Sequence, residues 1–481
     1  MDKPNFLIIM SDEHDPQIST PYGHNFVDTS NMQRLADSGA TFNNAYCNSP
    51  ICVPSRASFM TGKHLHRIGV WDNSVPLSSD EPTWAHRLNR EGYETALCGK
   101  MHFVGPDQMH GFSRRIMDDI HGMGGIGTNL PNWTDGGFAK TRGDEGGLRR
   151  RLAEDPGPGD HEHQQYDDEV VMRSIQYLAE PARKEKPWAL VSSIFTPHFP
   201  FKARPEYYHK YAKDHADLPE IPEGHLESLH EENRRLRHHF EVIGIPDEQI
   251  RKARAAYYGL VDFCDDKIGD ILDALEAYGL ADNTVVIYTA DHGEMLGDHG
   301  MWYKCTFYER SSRVPLIIRW PGITKPGQKY DQVTSLLDVV QTILDATGAD
   351  TEFTDGESLL PLLSGETGES EGMAICEYYA HGISTPGRMV RRGNYKLNHY
   401  HGQSPELFDL DNDPNELTDL SSDPKCATVL SELTEIALDG WDGDSIHHEI
   451  IQSQQQRLLI ANANVSSGNN WGPPWRNGNY G

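Results

Sequence analysis

The chain has 481 residues, of which 24% are charged and 37% are hydrophobic, and its 72 acidic and 43 basic side chains give a formal net charge of −29. This charge repels polyanions, so nucleic acid is excluded as a general partner, and an anionic substrate would need local positive charge around it. No apolar run reaches the roughly 18 residues of a membrane span, and the N-terminus lacks a signal-peptide pattern, so we expect a cytoplasmic protein with no membrane partner.

The cysteines predict neither a disulfide framework nor a cysteine-rich metal cluster. They are odd in number, because there are 7 of them, and they are scattered along the chain. Structural disulfides and zinc sites need closely patterned pairs. The positions are Cys47, Cys52, Cys98, Cys264, Cys305, Cys376 and Cys426.

The first predicted strand is the apolar run NFLIIM at residues 5–10, which suits a strand buried on both faces of a parallel sheet. It leads directly into Asp12 and Glu13. Open α/β sheets bind ligands at the carboxyl ends of their strands, and hard divalent cations prefer oxygen donors. Asp12 is therefore a candidate metal ligand, and a solvated acidic turn is an equally good interpretation at this point.

The run ICVPSRASFMTG at residues 51–62 carries Cys52, Pro54 and Arg56 at C-x-P-x-R spacing. Pro54 fits an early helical position, so Cys52 would lie at the positive end of a helix whose first amide groups favour an anion. Arg56 adds a fixed positive charge nearby. A buried structural cysteine is the alternative, since free cysteine usually behaves as a small hydrophobe.

Two further polar groups follow. Asn73, in IGVWDNSVP, could donate an amide hydrogen bond to a substrate oxygen, although a turn explains it equally well. The second predicted strand, residues 95–98, leads to Lys100 and His102. These two side chains project to the same side because they are two residues apart just past a strand end. They could hold an anion and move a proton.

Residues 113–160 are rich in glycine, proline and charge, and they predict loops over the mouth of the site. The third predicted strand, residues 188–195, leads into TPHFPF, in which His198 is flanked by two prolines, Pro197 and Pro200. Each proline ring restricts the backbone around this histidine. Such stiff positioning suits a catalytic acid better than a surface histidine.

The fourth predicted strand, residues 284–290, ends in Asp291 and His292. With Asp12 they complete a possible metal site, because each of the three lies at a strand end of one α/β sheet. Lys304 follows in MWYKCTFYE and offers a second ammonium group for a bound oxyanion.

The character of the chain changes beyond about residue 350. GESLLPLLSGETGESEG predicts a linker, and short strands at residues 373–379, 387–392 and 395–400 predict a small antiparallel sheet, with a helix at residues 425–438 packed on it. The polar stretch from residue 465 contains two tryptophans. Disorder is the default for such a tail, but the aromatic residues favour docking and a homo-oligomer.

Taken together, these motifs resemble the type I sulfatases of the alkaline phosphatase superfamily, in which the signature cysteine is oxidised to Cα-formylglycine. Cys52, GKMH, TPHFPF and DHGEMLGDHGMWYK occur in the order seen in those enzymes, and ELFDLDNDPNE extends the match into the C-terminal part. The segment GKMHFVGPDQMHGF and the Asp-His pair look most like choline-sulfatase-type enzymes and phosphonate monoester hydrolases.

The resemblance implies an alkaline-phosphatase-like α/β fold. In this fold, residues 1–365 would form a catalytic domain with a large mixed, mostly parallel sheet sandwiched by helices. A smaller α+β subdomain at residues 366–464 would carry the short antiparallel sheet, and residues 465–481 would form an aromatic tail.

The resemblance also implies a sulfuric ester hydrolase with one Ca²⁺ or Mn²⁺. The implied metal ligands are Asp12, Cys52 as formylglycine, Asp291 and His292. Glu13 stands where many sulfatases have a second metal-binding aspartate. The implied catalytic residues are Arg56, Lys100 and Lys304, which would neutralise the sulfate, His102, which would assist the formylglycine, and His198, which would protonate the leaving oxygen.

The substrate would be the sulfate monoester of an alkyl, choline-like or sugar alcohol. In choline sulfatases a carboxylate and aromatic groups surround the quaternary ammonium, and Glu377 and Trp133 are the candidates for these contacts. Pairing of Glu377 with Arg388, Arg391 or Arg392 is the alternative. A phosphonate monoester or phosphodiester hydrolase is the second function, and a catalytically silent binding protein the third. Maturation would require a formylglycine-generating enzyme or its equivalent.

Overall fold

The computed structural model describes residues 3–122, 152 and 156–466. Trp133, much of the predicted loop region and the tail from residue 467 onward lie outside the described residues.

The α-helices are α1 Ser30–Ser38, α2 Cys52–Thr61, α3 Leu65–Ile68, α4 Trp84–Arg90, α5 Glu162–Leu178, α6 Pro205–Ala212, α7 His225–Ser228, α8 Glu231–His239, α9 Asp247–Ala277, α10 Glu309–Ser312, α11 Leu336–Thr347, α12 Leu360–Ser364, α13 Ala427–Leu438 and α14 Gly443–Ser466. The strands are β1 Asn5–Asp12, β2 Ala40–Phe42, β3 Ala45–Tyr46, β4 Glu94–Gly99, β5 Arg114–Met117, β6 Gly157–Pro158, β7 Trp188–Pro197, β8 Lys202–Ala203, β9 Thr284–Ala290, β10 Leu316–Arg319, β11 Gln328–Tyr330, β12 Thr334–Ser335, β13 Met373–Tyr378, β14 Gly387–Arg392, β15 Tyr395–Tyr400 and β16 Glu406–Asp409.

The central sheet has eight strands in the order β11-β2-β10-β9-β1-β7-β4-β5. Strand β1 runs parallel to β7 and β9, and β4 runs parallel to β5 and β7. Strand β10 is antiparallel to its neighbours β9 and β2. The prediction of a large mixed, mostly parallel sheet is confirmed.

Helices cover both faces of this sheet. Successive side chains of a strand point to opposite faces, so Ile8 of β1 joins the core beneath α2, α4 and α11, while Leu7 and Ile9 join the core beneath α1, α5 and α9. Each of these three β1 side chains is fully buried. The unbroken apolar run of β1 thus reflects burial on both faces.

Four neighbouring parallel strands end at the same edge of the sheet. Strand β1 ends at Asp12, β4 at Gly99, β7 at Pro197 and β9 at Ala290. The register pairs Asp12 with Pro197, and Ser11 with Ala290. The residues that follow these strands are therefore brought together, although hundreds of residues separate them in sequence.

The C-terminal part forms a four-stranded antiparallel sheet in the order β13-β14-β15-β16. Leu433 and Ala437 of α13 pack against one face of it, together with Val390 and Leu397. This arrangement confirms the predicted small antiparallel sheet and its helix. The strand β16, in the ELFD stretch, was not predicted. The proposed domain boundaries stay a prediction.

Two predicted irregular regions contain regular structure, and one helix was not predicted. The segment expected to form loops includes β5, which pairs with β4 at the edge of the central sheet. The expected linker includes α12, because Leu362 and Leu363 are buried. Helix α14 follows the predicted C-terminal helix and was missed, because its sequence has no strong apolar stripe.

All 7 cysteines are free in the structure, so the prediction of no disulfide framework is confirmed. Within the described ranges, no helix is both long and apolar enough to cross a membrane.

Candidate active site

The residues predicted as metal ligands lie together at the carboxyl edge of the sheet. Ligand atoms of Asp12, Cys52, Asp291 and His292 all lie within 4.8 Å of one another. Cys52 Sγ is 3.2 Å from His292 Nε2 and 3.8 Å from Asp12 Oδ1. The His292 Nδ1 contacts the Gly293 carbonyl oxygen at 3.1 Å, so its Nε2 presents a lone pair to the cluster. All four side chains are buried.

This donor set fits one divalent cation. Two carboxylates supply hard oxygen donors, and a neutral imidazole supplies a nitrogen. The Oδ2 atoms of Asp12 and Asp291 are both bound by Arg56. The Oδ1 atom of Asp12 lies 3.9 Å from the Nε2 atoms of both His198 and His292. A divalent cation here would supply a counter-charge to the buried carboxylates, because an isolated buried charge is costly.

Arg56 holds the ligand carboxylates in place. Its Nε donates to Asp291 at 2.7 Å and its Nη2 to Asp12 at 3.0 Å. Its Nη1 donates to the Lys100 carbonyl at 2.7 Å and to the Ser193 hydroxyl at 2.9 Å. Four of the five N–H groups of the guanidinium are therefore used within the protein. In this structure Arg56 positions the two carboxylates, and its expected role in neutralising the sulfate stays a prediction.

The start of α2 offers fewer free amides than the sequence suggested. Cys52 is the first helical residue, as predicted. However, the Val53 N–H donates to Asn73 Oδ1 at 3.0 Å, the Ser55 N–H donates to the Ile51 carbonyl at 3.0 Å, and Pro54 has no N–H. Asn73, predicted to bind substrate, thus caps the helix that carries Cys52. Positive charge at this site comes mainly from side chains.

Lys100 and His102 lie beside the ligand cluster. The buried Lys100 ammonium forms an ion pair with Asp12 and lies 4.4 Å above the Phe195 ring. The His102 ring stacks on His121 with centroids 4.0 Å apart. Burial, with the neighbouring His121, keeps the pKa of His102 well below its usual value, so the ring is neutral. A neutral imidazole can accept a proton.

Asp119 holds the two stacked histidines and was not identified from the sequence. Its Oδ2 accepts from the Met101 N–H at 2.8 Å and from the His102 N–H at 2.5 Å. Its Oδ1 accepts from the His121 N–H at 3.0 Å. These contacts fix His102 in the left-handed conformation, with φ of 58°. An aspartate in a loop carries no signal that distinguishes it from a solvated one.

His198 and Lys304 form a second pair near Asp12. The His198 Nδ1 donates to the Phe199 carbonyl at 2.6 Å, so its Nε2 accepts from Lys304 Nζ, which lies 2.9 Å away. The same Nε2 is 3.9 Å from Asp12 Oδ1. Although burial acts to lower it, the pKa of Lys304 is raised by the negative charges around it, so the ammonium is retained.

Glu13 is bound by Lys304 rather than placed in the ligand cluster. Lys304 Nζ donates to Glu13 Oε2 at 2.7 Å. The Oε1 of Glu13 has no hydrogen-bond partner among the described residues, and the carboxyl group of Glu294 lies close to it. Burial raises the pKa of both carboxyl groups, Glu13 well above its usual value.

Comparison with protein families identifies the chain. A family model described as Sulfatase matches residues 4–349, which is more than half of the sequence. The chain belongs to the sulfatase family. A second model, described as N-sulphoglucosamine sulphohydrolase, C-terminal, matches residues 297–439 of this sulfatase.

Individual relatives agree with this family. The sulfatase is 34% identical to the choline-sulfatase of Rhizobium meliloti (strain 1021), over 96% of this chain and 91% of the relative. It is 30% identical to the arylsulfatase of Clostridium perfringens (strain 13 / Type A), over 92% of this chain and 95% of the relative. The crystal structure of the phosphonate monoester hydrolase of Agrobacterium radiobacter superimposes with a TM-score of 0.73 at 26% identity, covering 93% of this chain and 96% of that one. The alkaline-phosphatase-like fold and the sulfatase activity class are confirmed.

Glu377 does not present a free carboxylate. It is fully buried, and its oxygens accept hydrogen bonds from the His66 N–H at 3.0 Å and the His66 Nδ1 at 2.8 Å. Its Oε1 also forms an ion pair with Arg388 Nε, 3.2 Å away. Burial acts to raise its pKa, but the His66 hydrogen bond and the Arg388 charge lower it to about 2. The structure thus shows the alternative pairing with Arg388, and the contact of Glu377 with a cationic substrate stays a prediction. Trp133, its expected partner, lies outside the described residues.

Proposed function

We propose that this sulfatase hydrolyses the sulfate monoester of an alkyl, choline-like or sugar alcohol, with formylglycine made from Cys52 as the nucleophilic residue and one Ca²⁺ or Mn²⁺ as cofactor. The observation that carries the proposal is the position of Asp12 Oδ1, which lies 3.8 Å from Cys52 Sγ and 3.9 Å from His198 Nε2. A nucleophile position, a ligand cluster and a leaving-group pair thus converge on one point.

The environment of Cys52 supports its modification. Burial, with the negative charge of Asp12, raises the pKa of the Cys52 thiol to about 12. Thiolates, and not thiols, are the reactive nucleophiles, so an unmodified Cys52 would be a poor one. Formylglycine at this position would supply a hydrated aldehyde, whose hydroxyl group would form a bond to sulfur as the bond between sulfur and the alcohol oxygen breaks. A formylglycine-generating enzyme or its equivalent would be required as the maturation partner.

The cation would be held by Asp12, Asp291, His292 and the modified residue 52, the set that lies within 4.8 Å. When bound, it would polarise a sulfate oxygen and favour ionisation of the attacking hydroxyl. Arg56, which donates to both carboxylates, would keep them oriented toward the cation. Lys100, buried next to Asp12, provides positive charge for the sulfate oxygens.

Lys304 and His198 would neutralise the leaving oxygen. Lys304 Nζ donates to His198 Nε2 at 2.9 Å, so this pair carries a proton that it could give to the leaving oxygen. General acid catalysis of this type contributes roughly 10²–10⁴ in rate. Neutral His102 would then accept the proton that is released as sulfate departs.

The second candidate is a phosphonate monoester or phosphodiester hydrolase with the same site. The structural likeness to the Agrobacterium radiobacter enzyme supports it, because tetrahedral sulfate and phosphonate groups share their geometry. The test is the ratio of kcat/KM for a sulfate monoester and for a phosphonate monoester with one common leaving group. We expect the sulfate ester to be preferred, and a preference for the phosphonate would establish the second function.

Homo-oligomer formation and a cytoplasmic location also belong to this proposal. The free state of all 7 cysteines supports a reducing compartment. Sedimentation velocity of the full chain tests the oligomeric state.

A further inference from the structure

Lys304 lies on a loop whose backbone is held in an unusual conformation. The residues on either side of it, Tyr303 with φ of 68° and Cys305 with φ of 78°, are both left-handed. Side chains other than glycine rarely adopt this conformation, and it persists only where surrounding contacts enforce it. The position of the Lys304 ammonium therefore depends on what fixes this loop.

Glu294 lies at the start of this loop, and its carboxylate holds the loop in place. Its carboxylate is fully buried, and Oε1 accepts from the Leu296 N–H at 2.8 Å and from the Tyr303 N–H at 2.7 Å. A single oxygen thus ties the two ends of the loop together. A backbone hydrogen bond from the Met295 N–H to the Tyr303 carbonyl, at 2.7 Å, supports the same closure.

The other half of the Glu294 carboxyl group reaches Lys304 by a second route. It lies close to the carboxyl group of Glu13, whose pKa it raises. Glu13 in turn accepts from Lys304 Nζ at 2.7 Å. Lys304 is therefore held through its backbone at Tyr303 and through its side-chain partner Glu13, and both contacts lead to Glu294.

We infer that Glu294 is a positioning residue that aims the Lys304 ammonium at the leaving oxygen of the substrate. The inference rests on the proposed function, in which Lys304 and His198 neutralise that oxygen. A group that acts on the leaving oxygen matters most when the leaving alcohol is a weak acid. Loss of Glu294 should therefore slow substrates with poor leaving groups more than those with good ones.

The experiment uses a series of aryl sulfates whose phenols span a range of pKa values. We measure kcat/KM for the parent, Glu294→Ala, Glu294→Gln and Lys304→Ala, and plot its logarithm against the pKa of the phenol. Glu294→Ala should lose about 100-fold on the poorest leaving group and less than 10-fold on the best, which gives a steeper slope. Glu294→Gln keeps an oxygen acceptor for the two amides and should retain a slope close to that of the parent.

The double variant Glu294→Ala/Lys304→Ala tests the connection. Residues that act as one unit are not additive, so its slope should equal that of Lys304→Ala. Glu248→Ala is the control, because this exposed carboxylate pairs only with Lys252 on the outside of α9. Metal content and formylglycine content are measured in every variant. Equal losses on all phenols by Glu294→Ala would overturn the inference and leave Glu294 with a merely structural role.

Three further outcomes are distinguishable. If Glu294→Ala does not fold, Glu294→Asp replaces it, since the shorter side chain cannot reach both amides. If the parent cleaves aryl phosphonates but not sulfates, the same series is run with phosphonates. If it cleaves neither, the proposed function fails, and crystal structures decide the inference: loss of the 2.9 Å contact between Lys304 Nζ and His198 Nε2 in Glu294→Ala supports it, and retention overturns it.

Discussion

The guanidinium of Arg457 forms a bidentate ion pair with the carboxylate of Asp72, at 2.7 and 2.9 Å. Arg457 lies on the C-terminal helix α14, and Asp72 is fully buried in the loop before α4. The next residue, Asn73, accepts from the Val53 N–H at the start of the nucleophile helix α2. The C-terminal helix is therefore connected to the residue that follows Cys52.

Arg457→Met is expected to lower the free energy of unfolding by about 3–5 kcal/mol, because it leaves the buried Asp72 charge unpaired. It should also reduce kcat, since the loop that caps α2 loses its support. Urea unfolding and steady-state kinetics measure the two effects. Arg90→Ala is the control, because its pair with Asp350 is 3.9 Å long and exposed, and such pairs contribute less than about 1 kcal/mol. A loss as small as that of the control would contradict a supporting role for Arg457.

Glu377→Gln should lower stability and leave substrate selectivity unchanged. The buried pair lowers the pKa of Glu377 from 4.5 to about 2, which corresponds to about 3 kcal/mol. Because the folded-state pKa is the lower one, this stabilisation is fully present above pH 4.5 and is lost as the pH falls toward 2. The stability difference between the parent and the variant should therefore shrink below pH 4.5.

The same variant tests the substrate contact. We expect KM for choline sulfate and for an uncharged aryl sulfate to change by the same factor, because Glu377 is occupied by His66 and Arg388. A rise confined to choline sulfate would show that the carboxylate binds the cationic alcohol after all.

Asp291→Asn and His292→Ala should lower metal content and activity together, because both side chains belong to the four-ligand cluster. Elemental analysis of the purified variants and of the parent after chelation gives the metal content. Re-addition of Ca²⁺ or Mn²⁺ to the chelated parent should restore activity and identify the cation. Full occupancy in both variants would contradict the ligand assignment.

Cys52→Ala is expected to abolish turnover and to leave the fold intact. The nucleophile is lost, while alanine fits the buried start of α2 without a polar group to satisfy. Circular dichroism and thermal unfolding check the fold, and hydrolysis of an aryl sulfate checks the activity. Turnover comparable with that of the parent would exclude Cys52 as the source of the nucleophile.

The sequence predicted the strands and the ligands for one physical reason. Buried parallel strands are short unbroken apolar runs, and their carboxyl ends meet at one edge of the sheet. Asp12 and Asp291 follow such runs directly, so their meeting could be predicted across hundreds of residues. Cys52 was found by its signature, and the structure places it between them.

Sequence analysis missed several contacts of the site because no sequence pattern encodes them. The N–H groups of Arg56 donate to Asp12 and Asp291. The number of charged residues in the sequence does not reveal which of them pair. The carboxylate of Glu377 is used by His66, a residue 311 positions away in sequence. Glu294 was recognised as part of a motif, but its link to the backbone of Tyr303 exists only in the folded loop.

The central claim is that formylglycine at position 52 is what makes this protein a working sulfatase. It is tested most directly by mass spectrometry of the Cys52 peptide from preparations whose specific activity on an aryl sulfate is measured in parallel. The account predicts that the aldehyde or its hydrate replaces the thiol, and that activity rises in proportion to the modified fraction from a zero intercept. Full sulfatase activity in a preparation that contains only the unmodified Cys52 thiol would contradict it.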